Sequence, residues 1–230
     1  MRGFGHIDTW IFDLDNTLYP ASCKLFDQID VKMGNFVAKL LGVDYAEAKR
    51  RQKELFYKYG TTLRGLMTEH GVLPDDFLDV VHDIDHSPVP ANPLLDSALH
   101  ALPGRKLIFT NGTVAHAEKV LARIGITHHF GDIFDILHSD FIPKPEMEPY
   151  RKFVSQTGIR AETSAMFEDI ARNLEAPHTL GMTTVLVVSP ENRDAEHLNR
   201  TTGGTDQQHI HHITDDLAAF LQVIIKTRAT

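Results

Sequence analysis

Trp10-Ile11-Phe12-Asp13-Leu14-Asp15-Asn16-Thr17 decides how the rest of the chain is read. Trp10, Ile11, Phe12 and Leu14 make a short apolar, aromatic-rich run of the kind that fills a buried strand, and the run ends in acidic and turn-forming residues. Asp13 and Asp15 therefore belong at the carboxyl end of that strand. Four further runs have the same character: Lys106 to Thr110, Ile133 to Leu137, Ala165 to Phe167 and Thr184 to Val188. Helical patterns separate them at Ala115 to Ile124, Met147 to Thr157 and Asn173 to Leu180, with Gly125 and Gly181 where C-caps are expected. Strands alternating with helices predict an α/β fold whose parallel sheet carries helices on both faces.

One interval breaks this rhythm. A strand-helix-strand crossover needs about 30 residues, yet Asp15 and Thr110 lie 95 positions apart. The intervening chain is helical in pattern: Leu25, Ile29, Met33, Phe36, Val37, Leu40 and Leu41 form one stripe, and Asp44-Tyr45-Ala46-Glu47 resembles a capping box for the next helix. Leu63, Leu66 and Met67, then Phe77, Leu78 and Val81, continue it. Pro88-Val89-Pro90-Ala91-Asn92-Pro93 reads as a stiff extended linker back to the core. The expected organisation is a core of residues 1–19 and 88–230 with an inserted α-helical cap domain at 20–87. Glu191 to Gln208 reads as a polar surface loop, and Thr214-Asp215-Asp216 opens a closing helix over Leu217 to Ile225.

Composition narrows the functions. The 230 residues are 42% hydrophobic, enough for a sizeable core, and the formal charge is −8. Dispersed acidity argues against a nucleic-acid polymer as partner, because neutralising phosphates takes clustered Lys and Arg. Fourteen histidines make the charge sensitive to pH near neutrality. The single cysteine, Cys23, has no internal disulfide partner and is expected to pack in the cap. No apolar run reaches the roughly 20 residues of a membrane span and no signal-peptide pattern opens the chain, so a cytoplasmic protein without a membrane partner is expected.

The residues just beyond the predicted strands form a set: Asp13 and Asp15, Thr110-Asn111-Gly112, Lys144, and Glu168-Asp169. Open α/β sheets bind ligands at the carboxyl ends of their strands. Three or four carboxylates converging beside one lysine repel one another unless a divalent cation joins them, and oxygen-only ligands favour Mg²⁺. Taken singly, each piece has an ordinary reading as turn, cap or exposed loop charge. Their order at successive strand ends is what those readings leave unexplained.

Asp13-Leu14-Asp15-Asn16-Thr17, Thr110-Asn111-Gly112, Lys144 and Glu168-Asp169 resemble the four ordered motifs of the haloacid dehalogenase-like hydrolase superfamily. Ile11 to Pro20, Tyr59 to Leu66 and Val81-His82-Asp83 further resemble its pyrimidine 5′-nucleotidase-like branch. The resemblance implies a Rossmann-like core and a phosphomonoester hydrolase. Asp13 would be the nucleophile, Asp15 the general acid and base, and Lys144 a charge shared by nucleophile and phosphate. Mg²⁺ would be held by Asp13, the Asp15 backbone carbonyl and Asp169, with Glu168 supporting the site from its edge and Asn173 orienting Asp169. Thr110, Asn111 and Gly112 would bind the substrate phosphate. The expected partner is a small phosphorylated metabolite, with a pyrimidine nucleoside 5′-monophosphate leading; a homodimer is compatible with the sequence.

Other readings stay open at this point: a sugar phosphate or phosphoglycolate as substrate, a phosphomutase, a dehalogenase, or a ligand-binding protein that has kept the fold. Arg64, flanked by Gly60 and Gly65, is the candidate cap residue for substrate specificity, ahead of His82 and Tyr19. His128-His129 and His209, His211 and His212 read as histidine-rich surface segments rather than metal sites.

Overall fold

A computed structural model describes residues 3–189 and 207–228. The polar segment around Thr201 to Thr205 lies outside the described residues. Strand β1 (Thr9–Phe12) leads into helices α1 (Leu25–Leu41), α2 (Tyr45–Tyr59), α3 (Thr62–His70) and α4 (Pro74–Val81). The chain continues through α5 (Pro93–Ala101), β2 (Arg105–Phe109), α6 (Val114–Ile124), β3 (Asp132–Phe134), α7 (Met147–Thr157), β4 (Ser164–Glu168), α8 (Glu175–Thr179), β5 (Thr183–Val187), β6 (His212–Thr214) and α9 (Leu217–Arg228).

The six strands form one sheet in the order β3-β2-β1-β4-β5-β6, every neighbouring pair parallel. This is the expected Rossmann-like α/β arrangement. The chain reverses its direction of travel across the sheet between β1 and β4, which puts a ligand crevice at their carboxyl ends. Side-chain alternation sends β1 to both faces. Trp10 and Phe12 pack with Leu99, Leu121 and Leu221 from α5, α6 and α9, whereas Ile11 packs with Tyr150 and Phe153 from α7 and Leu174 beyond β4. Phe12 stacks on Phe167 of β4 at 4.7 Å between ring centroids. All four β1 residues are buried, so the strand is apolar throughout, as expected of one covered on both faces.

Helices α1 to α4, inserted between β1 and β2, share a separate apolar cluster of Ile29, Val37, Ala48, Leu55, Leu63, Leu66, Phe77, Leu78 and Val81. Asp44 accepts the Glu47 backbone N–H at 2.9 Å, the expected N-cap of α2, while the Glu47 carboxylate turns to Arg50 and Arg51. Ile136 from the sheet side completes the cluster. Lys32 pairs with Asp83 and Gln28 bonds both backbone groups of Asp85, tying α1 to the returning chain.

Several elements differ from the sequence reading. β3 stops at Phe134 instead of reaching Leu137, because the buried Asp135 carboxylate accepts the N–H groups of Val114, Leu137 and His138 and bends the chain into a turn. Pro88 to Pro93 is an anchored turn rather than an extended spacer: Val89 is fully buried, its N–H bonds His86 O, and α5 already begins at Pro93 behind an Asn92 cap. Leu40 is exposed although it falls on the apolar stripe of α1. The expected helix at Asn173 to Leu180 is divided into a 3-10 turn, Ala171–Leu174, and α8. His212 begins β6, the edge strand, and His211 accepts the Thr184 N–H at 3.1 Å. No helix among the described residues is long and apolar enough to cross a membrane.

Candidate active site

The crevice opens where β1 ends. Asp13 N–H still bonds Phe167 O of β4, then the chain turns back with Leu14 O accepting from Thr17 and Leu18. Asn16 sits at φ 60° in that turn, a left-handed conformation that Asn tolerates better than most side chains. The turn aims Asp13 and Asp15 into one cavity of about 430 Å³ between the sheet and the four-helix insertion. Thr110, Asn111, Gly112, Lys144, Glu168, Asp169 and Asn173 line the same cavity.

Lys144 is 2% exposed and its Nζ donates to three acceptors: Asp13 Oδ1 at 2.6 Å, Glu168 Oε1 at 2.6 Å and Phe109 O at 3.1 Å. A buried ammonium needs this full set of partners. Burial lowers its proton affinity, but Asp13 and Glu168 outweigh that and hold it above the ordinary lysine value. Asn111 Oδ1 accepts the Lys144 N–H at 3.0 Å, so the motif after β2 positions the backbone of the lysine. Glu168 is committed to protein donors: Oε1 accepts from Lys144 and Asn173 Nδ2, and Oε2 accepts the Ile170 N–H at 2.7 Å. Asn173 thus bonds Glu168 rather than Asp169. The 3-10 turn, which replaces the expected helical spacing, explains the change.

Asp13, Glu168 and Asp169 offer carboxylate oxygens within 4.8 Å of one another. Burial first, then the neighbouring carboxylates, push Asp13 up to about 7 against the opposing pull of Lys144. Asp169 is raised well above the usual carboxylate range by burial and by Glu168 and Asp13. Three carboxylates face one ammonium, and Asn173 Oδ1 adds a buried oxygen with no hydrogen-bond partner among the described residues. This all-oxygen, anion-rich donor set fits a hard divalent cation.

The phosphate-binding expectation needs one change. Gly112 N–H donates to Thr110 Oγ1 at 2.9 Å, so that amide is already engaged. A Cβ at Gly112 would stand 3.3 Å from both Thr110 Oγ1 and His116 Cδ2; the missing side chain makes room for a histidine as well as for a ligand.

That histidine had no sequence signal separating it from the other thirteen. His116 is buried on α6 behind Thr113, which caps the helix. Its Nε2 lies 2.9 Å from Asp15 Oδ1, and Tyr19 OH donates to the same oxygen at 2.6 Å. His86 Nε2 lies 3.3 Å from His116 Nδ1, and the His82 ring stacks on His116 with 4.8 Å between centroids and 11° between planes. Tyr19 and His82 thus gather around Asp15, and His82 also lines the cavity. Burial raises the Asp15 proton affinity, but His116 and then Tyr19 outweigh it and hold the carboxyl at about 2.

Burial, followed by the charge of His116, holds His82 at about 4. An unfolded histidine titrates near 6.5. Between those values the unfolded chain binds a proton that the folded chain refuses, so stability falls as pH drops through that window. With His82 partly solvated, the effect is about 2 kcal/mol. Urea unfolding of His82→Gln from pH 7 to 4.5 should show a flatter decline than the wild type; matching slopes would exclude a neutral buried ring.

Arg64 does not line the cavity, although its neighbours Thr61, Thr62 and Leu63 do. The flanking glycines serve packing: a Cβ at Gly65 would stand 2.7 Å from Leu55, and Gly60, at φ 84°, lies against Pro143. The insertion presents Phe26, Met33, Phe56, Tyr57, Phe77 and Leu78 to the cavity, with Gln52 and the exposed Lys53 among the polar groups. Gln52 is already bonded to Asp30 and Lys49. Arg172 lies 4.8 Å from the Phe56 ring, closing the insertion against the sheet side. Elsewhere, His128 and His129 meet Asp96 Oδ1 at 3.2 and 2.7 Å. Cys23 packs against the sheet-face cluster, not within that of the insertion.

Comparison with known proteins agrees with this geometry. A family model described as haloacid dehalogenase-like hydrolase matches residues 7–181. Phosphate metabolism protein 8 of Saccharomyces cerevisiae is 29% identical over 196 residues, covering 77% of this chain and 60% of that protein. The chain thus spans under two thirds of the length of that curated relative. L-2-haloacid dehalogenase from Xanthobacter autotrophicus, with chloropropionic acid covalently bound, matches with a TM-score of 0.59 and 12% identity, covering 95% of this chain and 98% of the other. The hydrolase YfnB from Bacillus subtilis, bound to magnesium, matches with a TM-score of 0.60 and 16% identity over the same shares. At these identities the solved structures attest the fold.

Proposed function

Because the chain belongs to the haloacid dehalogenase-like hydrolase family, we propose that it is a Mg²⁺-dependent phosphomonoester hydrolase whose leading substrates are pyrimidine nucleoside 5′-monophosphates. The observation that carries this reading is the pair of differently bonded carboxylates on one turn. Asp13 is locked to Lys144, and Asp15 is held separately by Tyr19 and His116 beside the same cavity. A lone nucleophilic carboxylate would suffice for displacing a halide, whereas an ester oxygen has to be protonated as it leaves.

An oxygen of Asp13 attacks phosphorus, forming an aspartyl-phosphate as the bond to the ester oxygen breaks, and Asp15 gives that oxygen its proton. Entry of an anionic phosphate beside Asp15 raises its proton affinity and lets it carry that proton. Water then attacks the phospho-aspartate while Asp15 takes a proton from it, which releases inorganic phosphate and restores Asp13. Lys144 keeps Asp13 oriented and partly offsets the charge gathered around phosphorus. The Thr110 hydroxyl, which accepts from Gly112, keeps its own O–H to donate to a phosphate oxygen. Asp13, the Asp15 carbonyl and Asp169 would hold Mg²⁺; when bound, the cation would supply positive charge to phosphate oxygens.

Cavity chemistry supports a nucleotide over a sugar phosphate. Aromatic and apolar walls suit the flat face of a base, and a volume of about 430 Å³ suits a small ligand. Helices α1 to α4 act in this reading as a cap domain that excludes water and sets selectivity.

Phosphate release from a panel of phosphorylated metabolites tests the assignment. Pyrimidine nucleoside 5′-monophosphates should exceed sugar phosphates and phosphoglycolate by about tenfold or more in kcat/KM. Turnover should vanish in chelator and return with Mg²⁺. Activity retained in chelator, or an isomerised product in place of free phosphate, would overturn it.

A further inference from the structure

We propose that Tyr19 and His116 are positioning residues that together fix Asp15 through Oδ1, leaving Oδ2 as the oxygen that exchanges a proton with the substrate. The inference rests on the preceding reading of Asp15 as the proton donor and deepens it. Both donors converge on one oxygen: Tyr19 OH at 2.6 Å and His116 Nε2 at 2.9 Å meet Asp15 Oδ1. No hydrogen bond from the described residues reaches Oδ2, and Asp15 lines the cavity.

The donors are themselves held. Tyr19 is 3% exposed and packs in the sheet-face cluster, so its phenol has little freedom. His116 is 1% exposed and touched on several sides. His86 Nε2 lies 3.3 Å from His116 Nδ1, so the second ring nitrogen is held as well and Nε2 is turned to Asp15. His82 stacks on the ring and is anchored through Nδ1 to Thr113 Oγ1 at 3.2 Å. Gly112 supplies the space on the remaining side, since a Cβ there would lie 3.3 Å from the imidazole and 3.8 Å from Asp15 Oδ2. His82 and His86 come from the end of the insertion and the chain just after it, whereas His116 belongs to α6. The clamp therefore joins the insertion to the carboxylate that must be in register when substrate is enclosed.

A residue that positions a proton donor has a signature that general loosening of the fold lacks. p-Nitrophenol leaves as its anion and needs little protonation; an alkyl oxygen needs a proton in the transition state. The experiment compares kcat/KM, which reports formation of the aspartyl-phosphate and not its hydrolysis, for p-nitrophenyl phosphate and for an alkyl phosphate in the Mg²⁺-loaded full chain. Tyr19→Phe, which removes one oxygen only, and His116→Ala should each lower the alkyl-to-aryl ratio, by roughly 10-fold and about 100-fold respectively. His116→Gln, which keeps an N–H donor at similar reach, should recover most of the ratio. Asp15→Asn is the reference and should lower the ratio at least as far as His116→Ala.

If Asp15→Asn lowers the ratio while Tyr19→Phe and His116→Ala reduce both substrates equally, the positioning roles are wrong and Asp15 stands as the acid. If Asp15→Asn itself leaves the ratio unchanged, the reading of Asp15 fails and the clamp falls with it. A folded Tyr19→Phe with an unchanged ratio removes Tyr19 even if His116→Ala does not fold.

Discussion

Replacing Asp13 by Asn abolishes phosphate-ester turnover, with a loss of at least about 10⁴-fold, and leaves the fold nearly unchanged. The size of the loss follows from the role: without a carboxylate oxygen at this position there is no acceptor for the phosphoryl group, and neighbouring groups cannot substitute for a missing nucleophile. Near-native stability follows from the surroundings. Asn keeps an oxygen toward Lys144 Nζ and places its amide near Thr17 Oγ1, which can accept. One of three crowded carboxylates is neutralised, while Lys144 keeps Glu168 as its counter-ion. Thermal unfolding of Asp13→Asn should fall within a few degrees of the wild type while phosphate release disappears. Activity near normal in a well-folded Asp13→Asn protein would remove position 13 from the chemistry.

Lys144→Met loses both activity and stability, which distinguishes it from the nucleophile variant. Among the described residues the ammonium is the only hydrogen-bond partner of Asp13 Oδ1, and it also bonds Glu168 and Phe109 O. Methionine fills similar volume but leaves those oxygens buried without a donor. Breaking a buried charge pair on one side costs about 3–5 kcal/mol, which in a chain of this size lowers Tm by roughly 10 °C. The stability deficit has a pH signature. Carboxylates deprived of their cation have folded pKa values raised above the unfolded ones, so their stabilising contribution is present at low pH and lost as pH rises. The gap between Lys144→Met and the wild type should therefore widen from pH 5 to pH 8 in urea unfolding. A gap that narrows over that range would contradict the buried pairing.

Legibility varied along the chain for identifiable reasons. Trp10 to Phe12 could be read as a strand because a parallel strand covered on both faces is apolar at every position, and no other neighbours are needed to see that. The alternation of strands and helices then placed Asp13, Asp15, Thr110 to Gly112, Lys144 and Glu168-Asp169 at one end of the sheet. The cavity lined by those residues has that composition. Ile136 and Leu137 looked like a continuation of β3, but hydrophobicity does not show that Asp135 would spend its carboxylate on Val114, Leu137 and His138 and end the strand. Val89 between prolines looked like part of a spacer because its burial comes from the sheet-face cluster and leaves no local periodicity.

Motif spacing along β1 and its turn put two carboxylates at one strand end, and the order of the remaining motifs added the lysine and the second acidic pair to the same end, because periodicity and turn propensity are local properties of the chain. His116 lies 101 residues from Asp15, and the choice of this one histidine among fourteen required the sheet to bring α6 against the β1 turn. Arg64 is not among the cavity-lining residues and Asn173 bonds Glu168 for the same reason: which side chain meets which depends on backbone path and packing across the fold, and neighbours in sequence do not encode it.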